Sequence, residues 1–101
     1  MAAQSTRIGI TGAAGRMGRT LIALCAEQPK LELSVAVEHP SSPHLGLDAG
    51  ILTGLESAGV EIGSDLGAVI EQCDVLIDFT LPESTLANVA LCREAGKRMV
   101  V

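Results

Sequence analysis

Residues 11–18 read TGAAGRMG, and this glycine-rich run constrains the fold more than any other part of the chain. It follows the short apolar stretch of residues 7–10, which predicts a strand. It leads into an amphipathic helical pattern in which Met17, Leu21, Leu24 and Cys25 fall on one apolar face. A strand, a glycine turn and a helix in this order are typical of a loop that binds the pyrophosphate of a dinucleotide, where the helix N-terminus attracts the anion.

Each glycine of the run has a separate expected role. Gly12 allows the chain to leave the strand in a tight turn, Gly15 lets backbone approach a phosphate closely, and Gly18 lets the helix pack tightly on the sheet. Glu38 ends the next apolar run, residues 31–37, and lies twenty positions beyond Gly18. An acid at this place in the dinucleotide-binding fold accepts hydrogen bonds from ribose hydroxyls.

Strand and helix patterns alternate along the whole chain. Strands are predicted at residues 7–11, 31–37, 60–62, 75–80 and from 97 onward, and helices at 16–27, 65–72 and 82–95. We expect the last helix to turn Leu86, Val89 and Ala90 inward. This alternation predicts an α/β fold, a Rossmann-like doubly wound parallel sheet with helices on both faces.

The segment of residues 38–59 is rich in Gly, Pro and Ser and predicts a long loop with a helical turn near residues 48–52. Because loops at strand C-termini build sites in such sheets, this loop could share in cofactor binding. We expect residues 1–101 to be a dinucleotide-binding domain. Since the last strand has no covering helix, we expect it to be an N-terminal piece of a longer, two-domain protein.

Composition argues against several functions. The net charge of −5 comes without a basic stripe, so nucleic acid is not an expected partner. No apolar run is long enough for a membrane span, and residues 1–6 do not resemble a signal peptide. Three scattered cysteines favour buried thiols in a reducing compartment, the cytoplasm. His39 and His44 have no ligand set around them, so no metal site is expected.

The chain resembles the N-terminal cofactor-binding domain of the dihydrodipicolinate reductases, enzymes of the diaminopimelate–lysine pathway. The matching runs are RIGITGAAGRMGRTL at 7–21, the acid at position 38, GLDAG at 46–50 and DVLIDFTLPESTL at 74–86. The resemblance implies an oxidoreductase that transfers hydride from NADH or NADPH to a cyclic unsaturated imine dicarboxylate. It also implies a homotetramer for the full-length protein.

The resemblance implies specific cofactor contacts. The pyrophosphate would be held by Gly12, Ala13, Ala14, Gly15, Arg16 and Met17. Glu38 would bind the ribose, and Phe79 and Thr80 would lie on the nicotinamide side. The catalytic histidines and lysine would lie in a following domain, so no catalytic residue is expected here and the chain alone should be inactive. His39 and His44 are not assigned catalysis. Asp78 is expected to face backbone amides or solvent at its strand end.

The residue after the strand-two acid bears on the cofactor. Many relatives have Arg or Lys there to pair with the 2′-phosphate of NADPH, whereas this chain has His39. Histidine is mostly neutral at cellular pH, and Glu38 repels a phosphate. NADH is therefore the expected cofactor, with NADPH accepted through a protonated His39.

Two other functions remain open from the sequence. An extended short-chain dehydrogenase or epimerase also carries TGxxGxxG, although Arg16 after the middle glycine and the DFTLPE run are not typical of it. A non-catalytic dinucleotide-sensing module has the same fold, and fold alone does not decide function.

Overall fold

The computed structural model describes residues 5–101, which form one parallel sheet covered by helices on both faces. The strands are β1 (Thr6–Thr11), β2 (Leu31–Val37), β3 (Ile62–Gly63), β4 (Val75–Asp78) and β5 (Arg98–Val100). The helices are α1 (Arg16–Glu27), α2 (Ala49–Leu52), α3 (Leu66–Val69), which continues as a 3-10 turn at Ile70–Gln72, and α4 (Pro82–Ala95). Apart from its last two residues, the polar segment 1–6 lies outside the described part.

The strand order is β3-β2-β1-β4-β5, and every pairing is parallel. This is the order of a Rossmann sheet, so the predicted fold class is confirmed. Thr11, the last residue of β1, lies opposite Val37 of β2 and Asp78 of β4. The C-terminal ends of these three strands therefore meet at one edge of the sheet.

Two apolar clusters cover the two faces. The first includes Ile8 and Ile10 of β1 together with Ile22 and Cys25 of α1. The second packs alternate residues of β2 against α3, α4 and β4; its buried members are Val35, Val37, Leu66, Ile70, Cys73, Leu76 and Cys92. The chain leaving β1 thus turns toward one face, and the chain leaving β4 turns toward the other.

Several element boundaries follow from local chemistry. The bounds predicted for α1 and β2 are confirmed. Helix α1 ends where it does because Gln28 precedes Pro29, which holds Gln28 in an extended conformation. Pro82 occupies the first turn of α4, where its missing N–H has no cost. Gly96 ends that helix with a left-handed φ of 71°.

The predicted inward faces of two helices are partly wrong. In α1, Met17 and Leu24 are exposed, and the buried positions are Gly18, Ile22 and Cys25. In α4, Leu86 is 73% exposed and Ala90 is also exposed. The buried residues of α4 are Asn88 and Cys92. The fourth strand also ends at Asp78 rather than at Thr80.

The long loop after β2 is ordered around one carboxylate. Asp48 caps α2 by accepting hydrogen bonds from the amides of Gly50 and Ile51, and it also accepts from Ser57, Ala58 and Gly59. Hydrogen bonds, that of Ala58 first, hold the pKa of Asp48 far below its usual range despite desolvation. The helical turn predicted here is confirmed.

None of the helices within residues 5–101 is long and apolar enough to cross a membrane.

Candidate dinucleotide-binding site

The glycine loop leaves β1 in a turn that only glycine fits. Gly12 has a left-handed φ of 74°, and a Cβ there would lie 2.9 Å from the carbonyl oxygen of Phe79. The amides of Gly12 and Ala13 both donate to the carbonyl of Val37, at 2.9 and 3.2 Å. The turn is therefore fixed against the ends of both neighbouring strands.

Gly15 stands at the N-cap of α1 and is exposed. It has a φ of −73° and no side-chain cap. A Cβ on it would meet only the Gly12 carbonyl oxygen, at 3.3 Å, so the space in front of the loop is open. The amides of a helix's first turn have no intrahelical partner and carry partial positive charge. The amides of residues 12–15 are all bonded within the chain. The group that favours an anion here is therefore the N-terminus of α1, which begins at the open space in front of Gly15.

Gly18 acts differently from expectation. A Cβ at this position would lie 2.4 Å from the carbonyl oxygen of Gly12 and 2.5 Å from that of Ala13. The close approach that Gly18 permits is therefore between α1 and the glycine loop itself, rather than between α1 and the sheet. Arg16 and Met17, on the outer side of the same turn, are exposed.

Glu38 lies directly against the glycine loop. Its Oε2 accepts a hydrogen bond from the Ala14 amide at 2.7 Å, and its Oε1 accepts from the His39 amide at 3.1 Å. The Arg19 Nε donates to the Ala14 carbonyl oxygen, also at 2.7 Å. The amide and the carbonyl of Ala14 are thus both hydrogen-bonded, one to an anionic and the other to a cationic side chain, and these two side chains come from different parts of the fold.

His39 is exposed and its ring is oriented by Ser41. The Nδ1 atom accepts from the Ser41 amide at 3.1 Å and lies 2.7 Å from the Ser41 hydroxyl oxygen. With Nδ1 accepting from the amide, Nε2 is the ring nitrogen that is left to donate. The side chain then offers a single N–H donor beyond the end of β2.

A cleft of about 600 Å³ opens where β1, β2 and β4 end. It brings together six of the residues predicted from the sequence, namely Gly12, Gly15, Glu38, His39, Phe79 and Thr80. Ala13 is buried beneath the loop. Of residues 38–59, only Glu38, His39 and Pro40 line the cleft. A smaller groove of about 450 Å³ lies between α1, β2 and the loop near residues 55–58, and contains neither the glycine turn nor Glu38.

Sequence reasoning missed part of the cleft wall. The missed residues end β1 and β2, lie between β3 and the first residues of α3, or lie just before and along α4; they are Thr11, Val37, Ser64, Asp65, Leu66, Gly67, Leu81, Ser84, Asn88 and Leu91. The signal that could have found them is topological, because all carboxyl ends of parallel strands open on the same edge.

Asp78 faces neither backbone amides nor solvent, so that expectation is wrong. Its side chain is buried and accepts hydrogen bonds from Thr11, Thr80, Thr85 and Asn88. Burial alone would raise the pKa of this carboxyl, but the four hydrogen bonds hold the pKa below its usual value. Asp78 is therefore ionised at neutral pH.

Among residues 5–101 there is no cluster of three or more His, Cys, Asp or Glu side chains suited to a metal.

Comparison with known proteins places the chain among reductase sequences. Residues 6–101 match the family model described as dihydrodipicolinate reductase, N-terminus. The chain is 50% identical over 95 residues to the 4-hydroxy-tetrahydrodipicolinate reductase of Methylococcus capsulatus, covering 94% of this chain and 35% of that protein. It is 52% identical over 95 residues to the protein of the same name from Acinetobacter baumannii strain ATCC 17978, covering 94% and 34%. The chain thus spans about a third of the length of these curated relatives.

Two solved structures share the fold. A dipicolinate-bound dihydrodipicolinate reductase from Paenisporosarcina sp. TG-14 superposes with a TM-score of 0.70 and 21% identity, covering 95% of this chain and 36% of that one. An aspartate semialdehyde dehydrogenase with NADP from Candida albicans also gives 0.70, with 17% identity and coverage of 95% and 29%. At these identities the likeness speaks for the fold alone.

Proposed function

The chain belongs to the family of dihydrodipicolinate reductase N-terminal domains, and we propose that it binds a reduced nicotinamide dinucleotide for the reduction of dihydrodipicolinate. The substrate is a cyclic unsaturated imine dicarboxylate of the diaminopimelate–lysine pathway. One observation carries the proposal: Gly12 and Gly15 of the glycine loop, the second of them the N-cap of α1, line one cleft together with Glu38 at the end of β1.

The residues present fit a dinucleotide. The open space in front of Gly15 and the first-turn amides suit the pyrophosphate, held by residues 12–17 with Arg16 adding positive charge. Glu38 keeps acceptor capacity beyond its two backbone contacts, and this capacity suits the adenosine ribose hydroxyls. Phe79 and Thr80, across the cleft from Glu38's strand, are assigned to the nicotinamide side.

We infer that NADH binds more tightly than NADPH. Glu38 places a carboxylate beside the ribose, where a 2′-phosphate would meet like charge. His39, whose Nδ1 accepts from the Ser41 amide, has only its Nε2 side left to give a phosphate a hydrogen bond. A guanidinium at the same place would be charged and bidentate. We propose that NADPH also binds, but more weakly than NADH.

The bound cofactor would supply hydride to the substrate. This chain's own part is to bind and orient the dinucleotide. The groups that bind the dicarboxylate and move its proton are assigned to sequence outside residues 1–101, since the curated relatives are about three times as long. We therefore expect the chain alone to be inactive as a reductase, and the longer protein to be a cytoplasmic homotetramer. The buried thiols of Cys25, Cys73 and Cys92 suit a reducing compartment.

Calorimetric titration of the 101-residue chain with NADH tests the proposal, with Gly15→Val as the variant. A valine side chain would fill the space assigned to the pyrophosphate, and we expect at least about tenfold weaker binding. Gly63→Val is the matched control, because a Cβ there meets nothing within 4 Å. Circular dichroism checks that both variants fold.

Equal NADH affinity in wild type and Gly15→Val would place the pyrophosphate elsewhere. Steady turnover of dihydrodipicolinate by a clean preparation of the chain would contradict its assignment as a binding domain only, because catalysis needs substrate groups held at reacting distance.

A further inference from the structure

The buried carboxylate of Asp78 joins three parts of the cleft. It lies at the last position of β4 and is 4% exposed. Its Oδ1 accepts from the hydroxyls of Thr11 and Thr80 and from the Asn88 amide, the last two at 2.7 and 2.9 Å. Its Oδ2 accepts from the Thr85 hydroxyl. One side chain thus bonds the end of β1, the turn after β4 and the first half of α4.

This set of partners requires a carboxylate. All four bonds come from neutral donors, and only an ionised carboxylate can accept all of them without presenting a donor of its own. Burying such a charge is unfavourable unless it is fully hydrogen-bonded. An apolar residue would suffice if the position served packing alone, as Leu76 does two residues earlier in the same strand. The network therefore holds its partners in a defined geometry.

The partners that Asp78 holds are themselves parts of the cleft wall. Thr11, Thr80 and Asn88 all line the cleft. Thr11 directly precedes Gly12, and its carbonyl accepts a hydrogen bond from the Phe79 amide at 3.1 Å. A shift of the turn after β4 would therefore be transmitted to the glycine loop.

We propose that Asp78 is a positioning residue for the dinucleotide: its carboxylate fixes the turn at residues 79–81 relative to the glycine loop, so that the cleft has its binding shape before the ligand arrives. This inference rests on the proposed function. It assigns Asp78 no contact with the reacting atoms. Its consequence is that loss of the carboxylate weakens cofactor binding beyond any loss of stability, because the ligand must then order the cleft as it binds.

Asp78→Asn in the 101-residue chain tests the inference, with Asp74→Asn as the matched control. Asp74 precedes the opposite end of β4 and accepts three hydrogen bonds from Arg7, so its loss also removes a bonded carboxylate but lies far from the cleft edge. NADH affinity is measured by calorimetry, and the emission of bound NADH is measured at saturation, both well below each variant's melting temperature. For Asp78→Asn we expect roughly fivefold or greater loss of affinity and weaker emission, because a looser turn admits water to the nicotinamide. Asp74→Asn should match wild type in both.

Thr85→Val is the milder variant in case Asp78→Asn does not fold. Thr85 is outside the residues assigned to the cofactor, and its loss removes one of the four bonds. We expect a smaller change in the same direction. Wild-type affinity and emission in a folded Asp78→Asn or in Thr85→Val would overturn the inference and leave Asp78 a structural residue only. Absence of NADH binding by wild type would instead overturn the proposed function, and the inference with it.

Discussion

Replacing Gly18 with alanine should damage both the stability of the fold and the shape of the glycine loop. The added Cβ would lie 2.4 Å from the Gly12 carbonyl oxygen and 2.5 Å from that of Ala13. Both oxygens belong to the backbone of a turn whose amides are bound to Val37. Neither oxygen can move away alone, so either α1 or the loop must shift.

Two opposing effects set the magnitude of this change. Alanine favours a helix interior over glycine by about 0.5–1 kcal/mol. Overpacking a tight contact costs about 1–3 kcal/mol, and a clash with two backbone atoms belongs in the upper part of that range. The clash therefore dominates, with a net loss of about 1–2 kcal/mol of unfolding free energy. For a domain of this size, such a loss lowers Tm by roughly 5–15 °C.

Thermal unfolding followed by circular dichroism and calorimetric titration with NADH measure the two effects. Gly67→Ala is the stability control, because Gly67 lies within α3 and an added Cβ meets nothing closer than 3.5 Å. Its Tm should equal or exceed that of wild type. A Gly18→Ala protein that melts at or above the wild-type temperature and binds NADH with wild-type affinity would refute the reasoning.

Three further changes test other parts of the site and fold. Arg19→Met removes the donor to the Ala14 carbonyl; loss of one hydrogen bond should weaken NADH binding roughly 2- to 10-fold by calorimetry, and an unchanged Kd would show that the contact does not shape the loop. His39→Arg should raise NADPH affinity relative to NADH by roughly tenfold, because it adds a charge-assisted bond, and an unchanged ratio of the two Kd values would place the 2′-phosphate elsewhere. Hydrogen bonds from Arg7 hold the pKa of Asp74 below its usual value. The Asp74 carboxylate therefore stabilises the folded protein above the unfolded pKa of about 3.9, and this stabilisation is lost as pH falls through the lower folded pKa. Asp74→Asn should reduce the fall in Tm on acidification, and a fall identical to that of wild type would contradict this.

The sequence predicted the glycine loop and Glu38 because both depend on local order and fixed spacing. The inward face of α1 was mispredicted for a related reason. The apolar pattern put Met17 and Leu24 inside, but Gly18 must face the loop for the helix to approach it. That requirement rotates the helix so that positions 18, 22 and 25 are buried, whereas Met17 and Leu24 are exposed. A single close contact outweighed the hydrophobic pattern.

The hydrogen bonds around the loop could not be predicted in the same way. The partners of Ala14 are Glu38, 24 positions away, and Arg19. Thr11 and Asp78 are 67 residues apart. Such contacts are fixed only once the strand order is known. The predicted Rossmann-like sheet implies which strands are neighbours, but it does not say which side chains at their ends bond to one another.

The strand order also explains why a charged residue stands at the buried end of β4. The chain leaving β1 turns to the face covered by α1, and the chain leaving β4 turns to the face covered by α4. The two connections diverge, so the edge between β1 and β4 opens into a cleft and is not closed by either helix. Polar groups at this edge must be bonded to one another, as Thr11, Asp78 and Asn88 are. The first half of α4 accordingly buries Asn88, whereas farther along it buries Cys92. The inward face of α4 was predicted wrongly because a single apolar stripe was expected. Its inner face lies against the cleft at one end and against the apolar core at the other.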